Sequence, residues 1–165
     1  MALDQSFVGR SYPPTAPYEV GREKIREFAE AIGDTNPAYT DPEAARALGH
    51  PDVIGPPTFV FIITFKAASE QVIRDPELGL DYDRVVHGDQ QFAYVRPVRA
   101  GDVLTVTCTI DSIKSLAGHE VLAVRGEVRD AAGELVVTSF TTLVARAADH
   151  DENAPQPRET QEASR

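Results

Sequence analysis

The sequence predicts an α+β domain in which a curved antiparallel β-sheet wraps around one long buried helix. Three observations point there. The segment from Thr58 to about Arg74 carries Phe59, Val60, Phe61, Ile62, Ile63 and Phe65 almost without interruption, so its first two turns have no polar face, and a helix apolar all round is a buried helix. After it the hydrophobic period changes to two, the signature of strands. Short glycine-bearing turns join the later alternating runs, which implies antiparallel meander connections.

Each element follows from local pattern. Residues 1–20 hold Pro13, Pro14 and Pro17 and read as an irregular lead-in with a short strand near Tyr18 to Val20. Ile25, Phe28, Ala29 and Ile32 fall at i, i+3, i+4 and i+7, an amphipathic helix, and Gly33 stands where a left-handed cap closes it. Asp34-Thr35-Asn36-Pro37 is a tight polar segment. Asp41-Pro42 opens a second short helix with an N-cap and a proline at its first position, and Gly49 ends it. Pro56 and Pro57 sit where a helix start tolerates them, and Asp75-Pro76 stops the buried helix. The strand runs are Phe92 and Tyr94, then Leu104, Val106, Cys108 and Ile110, then 119–129 and 134–146. Turns at Ala117-Gly118 and Ala131-Ala132-Gly133 separate the last three. From Ala148 the chain is polar and proline-rich, which predicts a disordered tail over 148–165 behind a domain of 1–147. Four strands covering one helix is the hotdog arrangement. By analogy with that fold, a dimer is the expectation.

Composition excludes more than it assigns. A formal charge of −10 argues against nucleic acid, where affinity comes from cations displacing counterions, and against an anionic membrane surface. No stretch is apolar enough to span a bilayer and the first residues lack an export pattern, so the expected address is the cytoplasm. One cysteine, Cys108, and few histidines give neither a disulfide framework nor metal-ligand spacing, and no cofactor or metal is expected.

Three segments carry a resemblance. They are Phe28 to Tyr39 with its Gly33-Asp34-Thr35-Asn36-Pro37-Ala38-Tyr39 core, Gly55-Pro56-Pro57-Thr58-Phe59, and Val86-His87-Gly88-Asp89-Gln90-Gln91-Phe92-Ala93-Tyr94 running on through Arg96-Pro97 to Gly101-Asp102. Over residues 8–147 the chain resembles the MaoC-like, or hydratase-2, family. It looks like the N-terminal-type modules and is especially similar to the accessory subunit of actinobacterial heterodimeric (3R)-hydroxyacyl-ACP dehydratases. The resemblance implies an acyl-ACP or acyl-CoA thioester as ligand and a second hotdog chain, identical or different, as partner. It places the reaction's acid and base at Asp34 and at position 39, with Asn36 beside them. Acyl-thioester contacts then fall on Gly55, Pro57, Thr58, Phe59, Phe61 and Phe65, and on Gly88 and Gln90.

Two departures bear on chemistry. Dehydration of a 3-hydroxyacyl thioester needs a base for the C2 proton, an acid for the leaving hydroxyl and donors for the enolate-like oxygen. Where the family signature has histidine, this sequence has Tyr39, whose ordinary pKa near 10 puts it in the wrong form for a base at neutral pH. The family's Ile-Ala-His-Gly aligns with Ile54-Gly55-Pro56-Pro57, so the glycine that offers an N–H is a proline, which has none.

The same residues also admit plainer readings. Gly33 to Pro37 are what turns prefer, and Asp34 can be a cap. Tyr39 can be a packed aromatic, and the phenylalanines can be core. Three functions stay open: an accessory subunit, a self-sufficient homodimeric hydratase that uses Asp34 with His87, and a non-enzymatic acyl-thioester binding module.

Overall fold

The computed structural model describes residues 3–146. The tail expected over 148–165 lies outside the described residues. The elements are a 3-10 turn at Gln5–Phe7, β1 (Tyr18–Glu19), α1 (Arg22–Ile32), a 3-10 turn at Pro37–Tyr39, α2 (Pro42–Ala47), α3 (Phe61–Ala68), a π-helical turn at Ser69–Ile73, a 3-10 turn at Tyr82–Arg84, then β2 (Val85–Tyr94), β3 (Val103–Leu116), β4 (His119–Arg129) and β5 (Leu135–Ala145). All strand neighbours are antiparallel, in the order β1-β3-β4-β5-β2.

The expected architecture is present: a curled sheet holds α3 on its concave side. Leu104, Val106, Cys108 and Ile110 of β3, with Leu122, Val124 and Val128 of β4, alternate inward and are all buried. On the inner face Gly126 of β4 leaves room for its cross-strand neighbour on β5: a Cβ there would lie 2.7 Å from Ser139 Oγ, whereas Thr64 of α3, at 3.8 Å, would be in ordinary contact. The Thr64 hydroxyl, buried on that face, donates back to the Val60 carbonyl at 3.2 Å.

The local signals mostly hold. Gly33 has φ 72° and its N–H bonds back to Ala29 and Glu30. Asp41 accepts from the Glu43 N–H, with Pro42 opening α2. The helix expected over Thr58 to Arg74 is shorter. Pro56 and Pro57 have no N–H, and the backbone there closes i→i+3 bonds, Phe59 to Pro56 at 2.8 Å and Phe61 to Thr58 at 3.0 Å, so α3 begins only at Phe61. It is not buried on every side either. Phe61, Ile62 and Phe65 are half-buried because the sheet covers only part of the helix.

The antiparallel meander expected of the later runs is present as β3, β4 and β5, and β2 joins it on the far side of β5. Alternation reveals a strand, not its partner. The connection from Val95 to Asp102 crosses the sheet end, held by Val95 N–H to Val136 at 2.9 Å and by Gly55 N–H to Val98 at 2.8 Å. Arg96 locks it with a bidentate bond to Asp102 (2.8 and 3.0 Å) and a third to Asp130 at 3.1 Å.

The two rims of the sheet differ. The lead-in covers the outer edge of β3 through Gly9 N–H to Ile110 (2.8 Å), Tyr12 N–H to Cys108 (2.8 Å) and Thr15 N–H to Val106 (2.9 Å). Among the described residues nothing pairs with the outer edge of β2. An open edge ten residues long is a template for another strand.

Candidate functional site

The polar segment after α1 builds one wall. The Asp34 carboxylate accepts from the Asn36 N–H at 3.1 Å, and the Asn36 side-chain oxygen accepts from the Ala38 N–H at 3.0 Å. These bonds start the turn Pro37–Tyr39, which drives the Tyr39 side chain inward. Tyr39 is buried. Burial first, then the neighbouring Asp34 carboxylate, raise its phenol above the ordinary tyrosine value, with the Asn36 amide opposing. At neutral pH it is a neutral hydroxyl.

The opposite wall is the crossing that leads into α3. Gly55 packs against Phe59 so closely that a Cβ on it would lie 2.9 Å from the Phe59 Cβ. Phe59 itself is fully buried and meets Phe28 edge-on at 5.5 Å, so its ring belongs to the core rather than to a binding surface. Pro57 and Thr58 are exposed. The Pro57 carbonyl accepts from the Tyr94 hydroxyl at 2.7 Å, and burial pushes the Tyr94 phenol well up.

Between these walls lies a pocket of about 240 Å3, lined by Tyr39, Ile54, Gly55, Pro57, Tyr94, Val95, Arg96 and Pro97. The surface is mostly apolar, with two neutral phenols. Its one cation, Arg96, is committed to Asp102, Asp130 and the Pro97 carbonyl. Asp34 instead lines a separate outer hollow with Gly33, Thr35 and Thr40, so Tyr39 stands between that carboxylate and the pocket.

His87 belongs elsewhere. It lies inside β2. Its ring packs on Phe61 at 5.5 Å and Phe65 at 5.8 Å, and its Nε2 is 3.3 Å from the Gln90 side-chain oxygen, which also accepts from the Thr141 hydroxyl at 3.0 Å. Phe61 and Phe65 stack on each other at 5.0 Å. Gly88 is the bulge residue that breaks the β2–β5 register beside His87. His87 and Tyr94 lie roughly 20 Å apart along β2, whereas Phe61 of the cluster follows Pro57 of the pocket by only four residues. The structure therefore brings Tyr39, Gly55 and Pro57 into one pocket, with Asp34 and Asn36 against the outer side of Tyr39, and gathers His87, Gln90, Phe61 and Phe65 in a second cluster. Sequence reasoning missed Tyr94, Arg96 and Pro97 as pocket residues. Tyr94 stood in the third resembling segment, but alternation marked it only as a strand residue.

The model of the FAS1-like, dehydratase domain region matches residues 6–139. The chain belongs to this dehydratase family. A UPF0336 protein of Streptomyces coelicolor is 78% identical over 149 residues, covering 90% of this chain and 99% of the relative. One of Saccharopolyspora erythraea is 57% identical over 151 residues, covering 92% and 96%. Among solved structures, a chain of the truncated HadBC (3R)-hydroxyacyl-ACP dehydratase complex of Mycobacterium tuberculosis superposes with TM-score 0.74 at 34% identity, covering 84% of this chain and 96% of that one. A MaoC-like dehydratase superposes with TM-score 0.77 at 36% identity, covering 87% of this chain but only 43% of the longer neighbour. The chain is thus a hotdog protein similar to MaoC-like dehydratases, and among the described residues no helix is long and apolar enough to cross a membrane.

Proposed function

We propose that this chain is the accessory subunit of a dehydratase acting on (3R)-hydroxyacyl thioesters of acyl carrier protein or coenzyme A. It pairs with a second hotdog chain that carries the base, and it helps to enclose the acyl chain. The observation that carries this reading is the pairing of Tyr39 and Pro57 across one pocket. The first is a neutral phenol where the reaction needs a base. The second offers a carbonyl, already bonded, where the reaction needs an N–H donor. At neutral pH the phenol cannot take up the C2 proton, and the proline has no N–H to give the enolate oxygen.

The open edge of β2 supports the partner. Along it Val86 and Tyr94 are 36% exposed and Val95 68%, and the Phe61–Phe65–His87 cluster stands over the same rim. Strand addition there would satisfy the unpaired backbone groups and cover that apolar surface. The similar HadBC protein is a complex.

Co-expression with a hotdog chain that carries an intact Asp–His pair tests the reading. Expected are a stable heterodimer, its loss in Phe61→Asp, and faster turnover of long-chain substrates than the partner achieves alone. A chain that forms no heterodimer, or leaves the partner's turnover unchanged, contradicts it.

A further inference from the structure

The flank of α3 turned away from β2 carries a second built hollow, of about 310 Å3, that the dehydratase reading does not use. Its walls come from three parts of the chain: the lead-in from Thr15 to Tyr18, Lys24 of α1, and α3 with the turn that follows it. The floor is apolar, with Ala67 and Ile63 buried and Ile62 half-buried. One end is fixed by the Gln71 side-chain amide, which donates to the Pro13 carbonyl at 2.9 Å and ties the lead-in to the helix.

The rim is chemically distinct. The whole chain has three lysines, and two of them, Lys24 and Lys66, flank this hollow. Arg22 and Arg26 on α1 close on carboxylates at 2.6 Å. Lys24 stays 3.5 Å from Glu27 and Lys66 3.9 Å from Glu70, which leaves ammonium hydrogens for another acceptor. Glu70 also lines the hollow, and with Glu27 it offsets the two lysines in formal charge, so the rim offers spare ammonium donors rather than a net positive charge. The Tyr18 phenol, raised by burial and lying near Lys24, remains protonated and adds a neutral donor. Ammonium groups over an apolar floor match an anionic head on an apolar tail. At about 30 Å3 per heavy atom, the hollow holds a chain of roughly ten.

We propose that this hollow binds a medium-chain fatty acid as its carboxylate, with the head between Lys24 and Lys66 and the tail over Ile62, Ile63 and Ala67. The site is separate from the edge at which the partner docks. Titration calorimetry of the full chain with decanoate tests it, with decanol and inorganic phosphate as the other probes. Saturable decanoate binding is expected, weakened on the order of tenfold in K24Q/K66Q and by added salt, since two exposed charge-assisted contacts are lost or screened. Both lysines are exposed, so the variant should fold. The proposal is overturned if decanoate does not bind, if K24Q/K66Q binds it as tightly, if decanol binds equally well, or if phosphate displaces it. None of these results bears on the accessory-subunit reading, whose test reads association and turnover.

Discussion

The Tyr94 hydroxyl donates to the Pro57 carbonyl at 2.7 Å, tying the end of β2 to the residue that leads into α3. Where the family chemistry wants a backbone donor, this protein presents an acceptor that is already occupied. The bond also holds one wall of the pocket. Tyr94→Phe should therefore cost about 1 kcal/mol, a fall of roughly 3 °C in melting temperature. Thermal unfolding followed by circular dichroism reads it, and an unchanged melting temperature would mean that the bond does not stabilise the wall.

Both catalytic departures must be reversed together. Tyr39→His restores an imidazole but leaves Pro57 without an N–H, so it should not confer hydration of crotonyl-CoA. Tyr39→His with Pro57→Gly supplies base and donor, and should exceed the single variant by on the order of a hundredfold. Enoyl absorbance at high protein concentration measures both.

Gly55 is required for close approach rather than for a special backbone angle. A Cβ there would lie 2.9 Å from both Cβ and Cγ of fully buried Phe59, and that ring is wedged against Phe28. Gly55→Ala should destabilise the fold by about 1–3 kcal/mol. The urea midpoint should fall with an unchanged slope.

Stability should decline in alkali. Burial pushes Cys108 up to about 11. Tyr94 is raised further by burial, and Tyr12 by burial together with its bond to Asp75. A group whose folded pKa is raised contributes stability fully below its unfolded value, and loses it as pH climbs through the folded one. With unfolded values near 8.5 for cysteine and 10 for tyrosine, the urea midpoint should begin to fall at about pH 9 and steepen above about pH 10. Cys108→Ala should remove the early part of the decline, and Tyr94→Phe should soften the late part.

Much of this was legible in the sequence because it was local. Gly33, Asp41-Pro42 and the alternation of Leu104 to Ile110 each follow from backbone geometry and a hydrophobic period, and the structure has them in place. Tyr39 and Pro57 stood out equally as departures from the resembling segments, because a phenol and an imino acid differ in chemistry from the histidine and glycine the resemblance implies there. What escaped was non-local. The pairing of β2 with β5 goes with a crossing in which Arg96 binds nearby Asp102 and also Asp130, far along the chain. The role of Tyr94 depends on meeting Pro57 across that crossing. Phe59, named as a ligand contact from its place in a resembling segment, turns inward because Gly55 leaves room for it. His87 stacks on Phe61 and Phe65, contacts from another element that no local pattern announces.

The most direct measurement is turnover by the isolated chain. Purified without any companion and given crotonyl-CoA, it should leave the enoyl absorbance unchanged at high protein concentration, because its pocket holds protonated phenols but no base, and a proline without an N–H. Hydration at an ordinary enzymatic rate, on the order of 1 s⁻¹ or faster, would contradict the account.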